Sequence, residues 1–211
     1  MLSNVINILY YSGLVFYFLP VLMIFSKRRL NISPLFYFTS INLISVFISY
    51  YFTLRFSNSY PVFHLSVPIN SVFMLRYFQL LEQNSRISFK LGYFSIALVF
   101  LIDLIYSGIW YNNIVTTLFT NVLFTFLSCK SLLFLLKSNN DFELVTFESK
   151  FYILISILIL NSSSFFFSIL ETEIRNDTGD FFSFSISFLL VINILFNIFI
   201  SIGLWKQNKV Y

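Results

Sequence analysis

Seven apolar stretches divide this chain, and most of its charge falls in the short breaks between them. A hydrocarbon core of roughly 30 Å takes about 20 apolar residues in a helix, and inside lipid a spanning segment must satisfy its own backbone polar groups. The stretches cover about 4–25, 33–53, 61–81, 91–110, 114–136, 151–170 and 181–205. They predict an all-α polytopic membrane protein, a seven-transmembrane-helix bundle that forms a single domain over residues 1–211. Of its residues 58% are apolar, 10% are charged and 30 are phenylalanine, more apolar surface than a soluble domain of this size could hide. The longest breaks, 138–150 and 171–180, are too short to hold a core. Any catalytic or DNA-binding output is therefore expected to come from a partner chain.

The net charge of +4 needs no nucleic-acid partner. If the spans alternate, Lys27, Arg28, Arg29, Arg86, Lys90, Lys130, Lys137, Lys150, Lys206 and Lys209 all fall on one side. The other side receives Arg55 and Arg175, the latter beside Glu171, Glu173, Asp177 and Asp180. The positive-inside rule then places the N-terminus outside and the C-terminus in the cytoplasm, in the cytoplasmic (inner) membrane. The first span has no basic leader or small-residue cleavage site, so it is expected to stay as a helix. The single cysteine, Cys129, excludes an intramolecular disulfide and is expected to be a small helix-packing residue. Trp110, Tyr111 and Trp205 sit where amphipathic rings anchor at the headgroup level.

Counting about 1.5 Å of rise per residue from the cytoplasmic helix ends puts several polar side chains in one layer. Asn70, Asp103, Asn161 with Ser162, Ser163 and Ser164, and Asn193 come out near mid-membrane. Asn121, Ser12 and Gly13 fall close to them, and Asn42 and Asn197 about one turn lower. Such groups are expected to face the bundle interior, either as interhelical glue or lining a wet cavity. Asp103 is the only carboxylate deep in a span; it is expected to be neutral beside Asn70 or a serine, or ionised beside water and amides. Pro68 cannot donate to the carbonyl of His64 and is expected to kink span three. His64, the only histidine, is placed near the outer face as a packing residue or an anion ligand. Arg76, Gln79 and Glu82 share one helical face near the cytoplasmic boundary.

One histidine excludes a multi-histidine zinc site and a His-Glu-x-x-His helix, and span seven lacks a lysine for a retinal Schiff base. Phosphate-binding glycine loops and paired intramembrane carboxylates are missing as well, so neither a catalytic constellation nor a cofactor is expected.

Three segments stand out: His64, Ser66 and Asn70 followed by Tyr77-Phe78; Phe151-Tyr152 through Asn161-Ser162-Ser163-Ser164-Phe165; and Asn193, Asn197, Ile202-Gly203 and Trp205. Together they resemble a group of small seven-span membrane proteins from Bacteroidota. The group's span three carries a tyrosine and a glutamate where this chain has Ser66 and Asn70. The resemblance implies a seven-span fold and, because such proteins occur near genes for sensor kinases and response regulators, a sensory role.

The resulting expectation is a non-enzymatic sensory or signalling module that holds a small or lipidic ligand among His64, Asn70, Asp103, Asn161, Ser163, Asn193 and Asn197. Its partners are the lipid bilayer and a cytoplasmic or membrane protein. The alternatives are a carrier or channel for a small solute or proton that titrates Asp103, and a structural subunit of a larger membrane complex.

Overall fold

The computed structural model describes residues 2–25, 34–82, 86–111, 113–137, 144–176 and 180–207. Lys27, Arg28, Arg29, Asp177 and Lys209 lie outside the described residues. Among the described residues the secondary structure is helical throughout: α1 (Leu2–Phe25), α2 (Pro34–Phe56), α3 (Tyr60–Glu82), α4 (Arg86–Ser107), α5 (Ile114–Lys137), α6 (Leu144–Asn176) and α7 (Asp180–Gln207). Six of them, α1, α2, α4, α5, α6 and α7, are long and apolar enough to cross a membrane. The chain is thus a multi-pass helical membrane protein by architecture. The seventh, α3, has 23 residues but lower hydropathy, because Pro61, His64, Pro68, Asn70, Arg76, Gln79 and Glu82 interrupt its apolar run.

Two helices depart from their expected bounds for a clear reason. α6 has 33 residues, about 50 Å of rise, because Glu148 and Lys150 before the apolar run and Glu171, Glu173 and Arg175 after it are compatible with helix. Hydropathy marks where a helix is soluble in lipid, not where it ends. α4 starts at Arg86 and stops at Ser107, since Gly108 takes a left-handed φ of 72° and its N–H donates to the carbonyl of Leu104 at 3.0 Å. That is a helix C-cap that only glycine adopts without strain.

The helices fall into two compact units. In the unit that runs from Arg29 to Thr120, α2 packs on α3 and α3 on α4. Tyr37 stacks on Phe73 at 5.0 Å between ring centroids, and Leu35, Met74, Leu75, Phe78 and Ile96 are buried. Gly92 lets α4 approach α3 closely: a Cβ there would come within 2.8 Å of the Leu75 side chain. α3 continues as one helix through Pro68.

The unit formed by residues up to Arg28 and from Asn121 onward packs α7 against both α6 and α1. At Gly203 a Cβ would meet Ile153 Cγ1 at 2.5 Å and the Ser149 carbonyl oxygen at 3.0 Å, so the two helices touch through backbone. Small residues at membrane-helix crossings serve this purpose, because packing rather than hydrophobicity drives association in lipid. Ser149 Oγ donates to the Gly203 carbonyl at 2.8 Å, Lys206 pairs with Glu148, and its ammonium lies 5.1 Å from the Tyr152 ring centre.

Side-chain placement departs from that of a soluble protein, with large apolar side chains on the outside and polar ones sharing the interior. Ile105, Tyr106, Phe94 and Phe126 point outward, while Asp103, His64, Thr116, Ser128 and Ser156 are buried. Cys129 corrects an expectation: it is exposed on the outward flank of α5 beside Val122, Phe126 and Leu133, and therefore not a packing residue.

Candidate functional site

The turn between α2 and α3 and the turn between α4 and α5 meet at one end of their unit, and polar groups tie them together. Ser57 closes α2 with a φ of 54°, and Asn58 Oδ1 accepts the N–H of Tyr60 at 2.8 Å, satisfying one donor of the first turn of α3. The Asn58 amide then donates to the Trp110 carbonyl at 2.9 Å, and the Phe56 and Trp110 rings meet edge to face. Asn113, the residue before α5, donates its amide to the Phe63 carbonyl at 3.2 Å.

His64 is fully buried in this cluster, with Nε2 2.7 Å from the Tyr111 carbonyl oxygen. A carbonyl only accepts, so Nε2 carries the proton and a neutral ring presents a bare, accepting Nδ1. That atom is buried without a hydrogen-bond partner. The sequence expectation of a packing histidine near a helix start fits the burial, and the bond to the facing turn adds what sequence could not show.

Asp103 has a more particular task. It is 1% exposed, and Oδ2 accepts the backbone N–H of Thr116 at 3.0 Å, while Ser107 Oγ donates to Oδ1 at 3.3 Å. Asn113 accepts the first helical bond of α5 from Thr117 at 3.0 Å, so Thr116 occupies the third position of the helix, whose N–H has no partner within it. The carboxylate of one helix thus caps the next, where the helix dipole favours negative charge. Asp103 lies four residues from the last residue of α4, about 6 Å of rise. α4 begins five residues before the apolar run and ends three residues sooner, so Asp103 stands nearer its helix end than the apolar run alone implies.

The other predicted site residues are distributed differently. Asn70 bonds Asn42 of α2 through its amide at 2.6 Å, and not Asp103; its own Oδ1 is buried without a partner. Asn161 donates to the Ile157 carbonyl at 2.8 Å, Asn193 to that of Leu189 at 3.0 Å and Asn197 to that of Asn193 at 2.8 Å. Each amide turns back on its own helix, and only Asn193 adds a bond to another helix, from the Tyr17 hydroxyl at 3.3 Å. Ser163 is half-buried. His64, Asn70 and Asp103 belong to one unit, and Asn161, Ser163, Asn193 and Asn197 to the other. Arg76 bonds Gln79 locally at 2.6 Å, as the three-residue spacing predicts.

Sequence reasoning missed Asn58, Asn113 and Thr116, although an Asn just before a helix start is a recognisable capping signal. Among the described residues no group of three or more His, Cys, Asp or Glu is placed to hold a metal ion. Comparison with protein-family models, with curated proteins and with solved structures finds no match.

Proposed function

We propose that this chain is a non-enzymatic sensory module of the cytoplasmic membrane, with α3 as a seventh crossing, the N-terminus outside and the C-terminus inside. A small or lipidic ligand engages the cross-tied turns from the outer side, and a protein partner on the cytoplasmic side receives the resulting shift. The observation that carries this reading is the convergence of the buried acid and the histidine on the connection from α4 to α5, with Asp103 bonded to Thr116 and His64 to Tyr111. Pro68 lies one helical turn beyond His64 and leaves the His64 carbonyl without its helical partner, so α3 has a weak point beside the bonded turns. A ligand hydroxyl or amine donating to His64 Nδ1 would favour one arrangement of these turns. A shift follows only if the ligand binds the two arrangements with different affinity. The basic residues Lys90, Lys130, Lys137 and Lys206, which alternation of the spans puts on one side, support the stated orientation.

The test is native mass spectrometry of the full chain purified with its own lipids, compared with His64→Phe. A small mass retained by the wild type and lost from the variant supports the sensor. A bare chain in both cases, together with solute flux in proteoliposomes that Asp103→Asn abolishes, replaces it with a carrier.

A further inference from the structure

Several buried or half-buried hydroxyls among the described residues follow one rule. Ser71, Ser156, Ser162, Ser168 and Ser201 each donate to a carbonyl three or four residues earlier in the same helix, and Thr120 does so on α5. This back-bond is how a hydroxyl satisfies itself in an apolar interior. Ser40 Oγ and Thr116 Oγ1 depart from it singly, and further along α5 four polar groups depart in succession. Asn121 Nδ2, Thr125 Oγ1, Ser128 Oγ and Ser131 Oγ are all buried without a hydrogen-bond partner, and Asn121, Ser128 and Ser131 are at least nine-tenths buried as whole residues.

These four groups share one helical face. At 100° per residue they fall within an arc of about 120°, alongside buried Phe124 and opposite the outward Val122, Phe126 and Cys129. Back-bonding carbonyls are within reach of every hydroxyl on a helix, so hydroxyls that turn away from them must meet another polar partner or bear the cost of dry burial. No charged side chain stands on the face, which argues for a neutral occupant that both donates and accepts. Successive groups are three or four residues apart, about 4.5–6 Å of rise, close to the span of two hydrogen bonds through one intervening oxygen.

We infer that the buried face of α5 from Asn121 to Ser131 binds a file of water molecules, a hydrated track about 15 Å long inside the apolar part of the helix. It is independent of the turn site and would serve a sensor, a carrier or a scaffold equally.

Deuterium exchange tests it with a probe of water's own size. In a Cys129→Ser background in lipid nanodiscs, Thr125→Cys, Ser128→Cys and Ser131→Cys each carry a single thiol whose S–H stretch shifts on exchange in D2O. Ser156→Cys, fully buried on α6, is the dry reference. Exchange at least tenfold faster at all three α5 positions than at 156 supports the track. Equal rates, fast or slow, overturn it, and so does fast exchange at Ser131→Cys alone, which would mark a wet helix end. Radiolytic hydroxyl labelling of the unsubstituted chain needs no variant: Phe124 is expected to oxidise faster than outward-facing Phe126, and the reverse order overturns the proposal.

Discussion

At the turns of the unit of α2, α3 and α4 the polar side chains bond across elements, although Thr39, Ser49 and Ser71 bond their own helices, whereas the unit of α1, α6 and α7 spends most of its polar side chains on the helix that carries them. Asp103, His64, Asn58 and Asn113 each bond a backbone group in a different helix or turn. Asn161, Asn197 and Ser201 each bond a carbonyl four residues earlier. The same residue types therefore differ in consequence. A cross-element bond holds two segments in register, and losing it strands a buried partner. A back-bond leaves with its side chain and strands nothing beyond a carbonyl already in the helical ladder. In the second unit α6 and α7 also touch through close backbone contact at Gly203, where Ser149 Oγ donates to the Gly203 carbonyl.

The sharpest way to break this contrast is at Asp103. Asp103→Leu leaves the Thr116 N–H and the Ser107 hydroxyl without their acceptor in a buried site, a loss of about 2–4 kcal/mol. Asp103→Asn keeps an acceptor and is expected to lose about half as much; thermal unfolding in detergent compares the two. Equal losses would mean that volume, not the cap, is what matters there.

Gly203→Ala probes the other unit and is expected to cost about 1–3 kcal/mol through overpacking, because the obstructing atoms include backbone of α6 that cannot rotate away. Gly13→Ala serves as the control, since the nearest atom to its added Cβ, Ile194 Cγ1, lies at ordinary contact distance, 4.0 Å. A loss at Gly13→Ala as large as at Gly203→Ala would remove close approach as the explanation.

Smallest is Tyr17→Phe, which deletes the bond from α1 to Asn193. Interhelical hydrogen bonds in membranes average about 0.6 kcal/mol, and the Asn193 amide keeps its own-helix bond, so the change should fall at or below that value. A loss above about 1.5 kcal/mol would show that the second unit also depends on cross-helix polar bonds.

Much of this architecture is legible without coordinates. The apolar runs locate six of the helices because length and composition alone decide whether a segment can cross lipid. Helix ends are less legible, since Glu148, Lys150 and Glu171 are unsuited to lipid yet compatible with helix, and α6 runs past all three. The polar layer was legible as a set of residues but not as a site. Asn70 and Asp103 look equivalent in a depth count, yet one pairs with Asn42 and the other caps α5.

By itself the sequence determined the solvent: with so few charges, grouped in short breaks, this chain can only bury its helices in lipid and turn its polar residues inward. Only the tertiary structure decided which inward groups meet. A bond such as that from Thr116 to Asp103 depends on where Gly108 stops one helix and Asn113 starts the next, to within a residue. Hydrogen bonds act over about 3 Å, so a displacement of one helical turn is enough to change which groups meet.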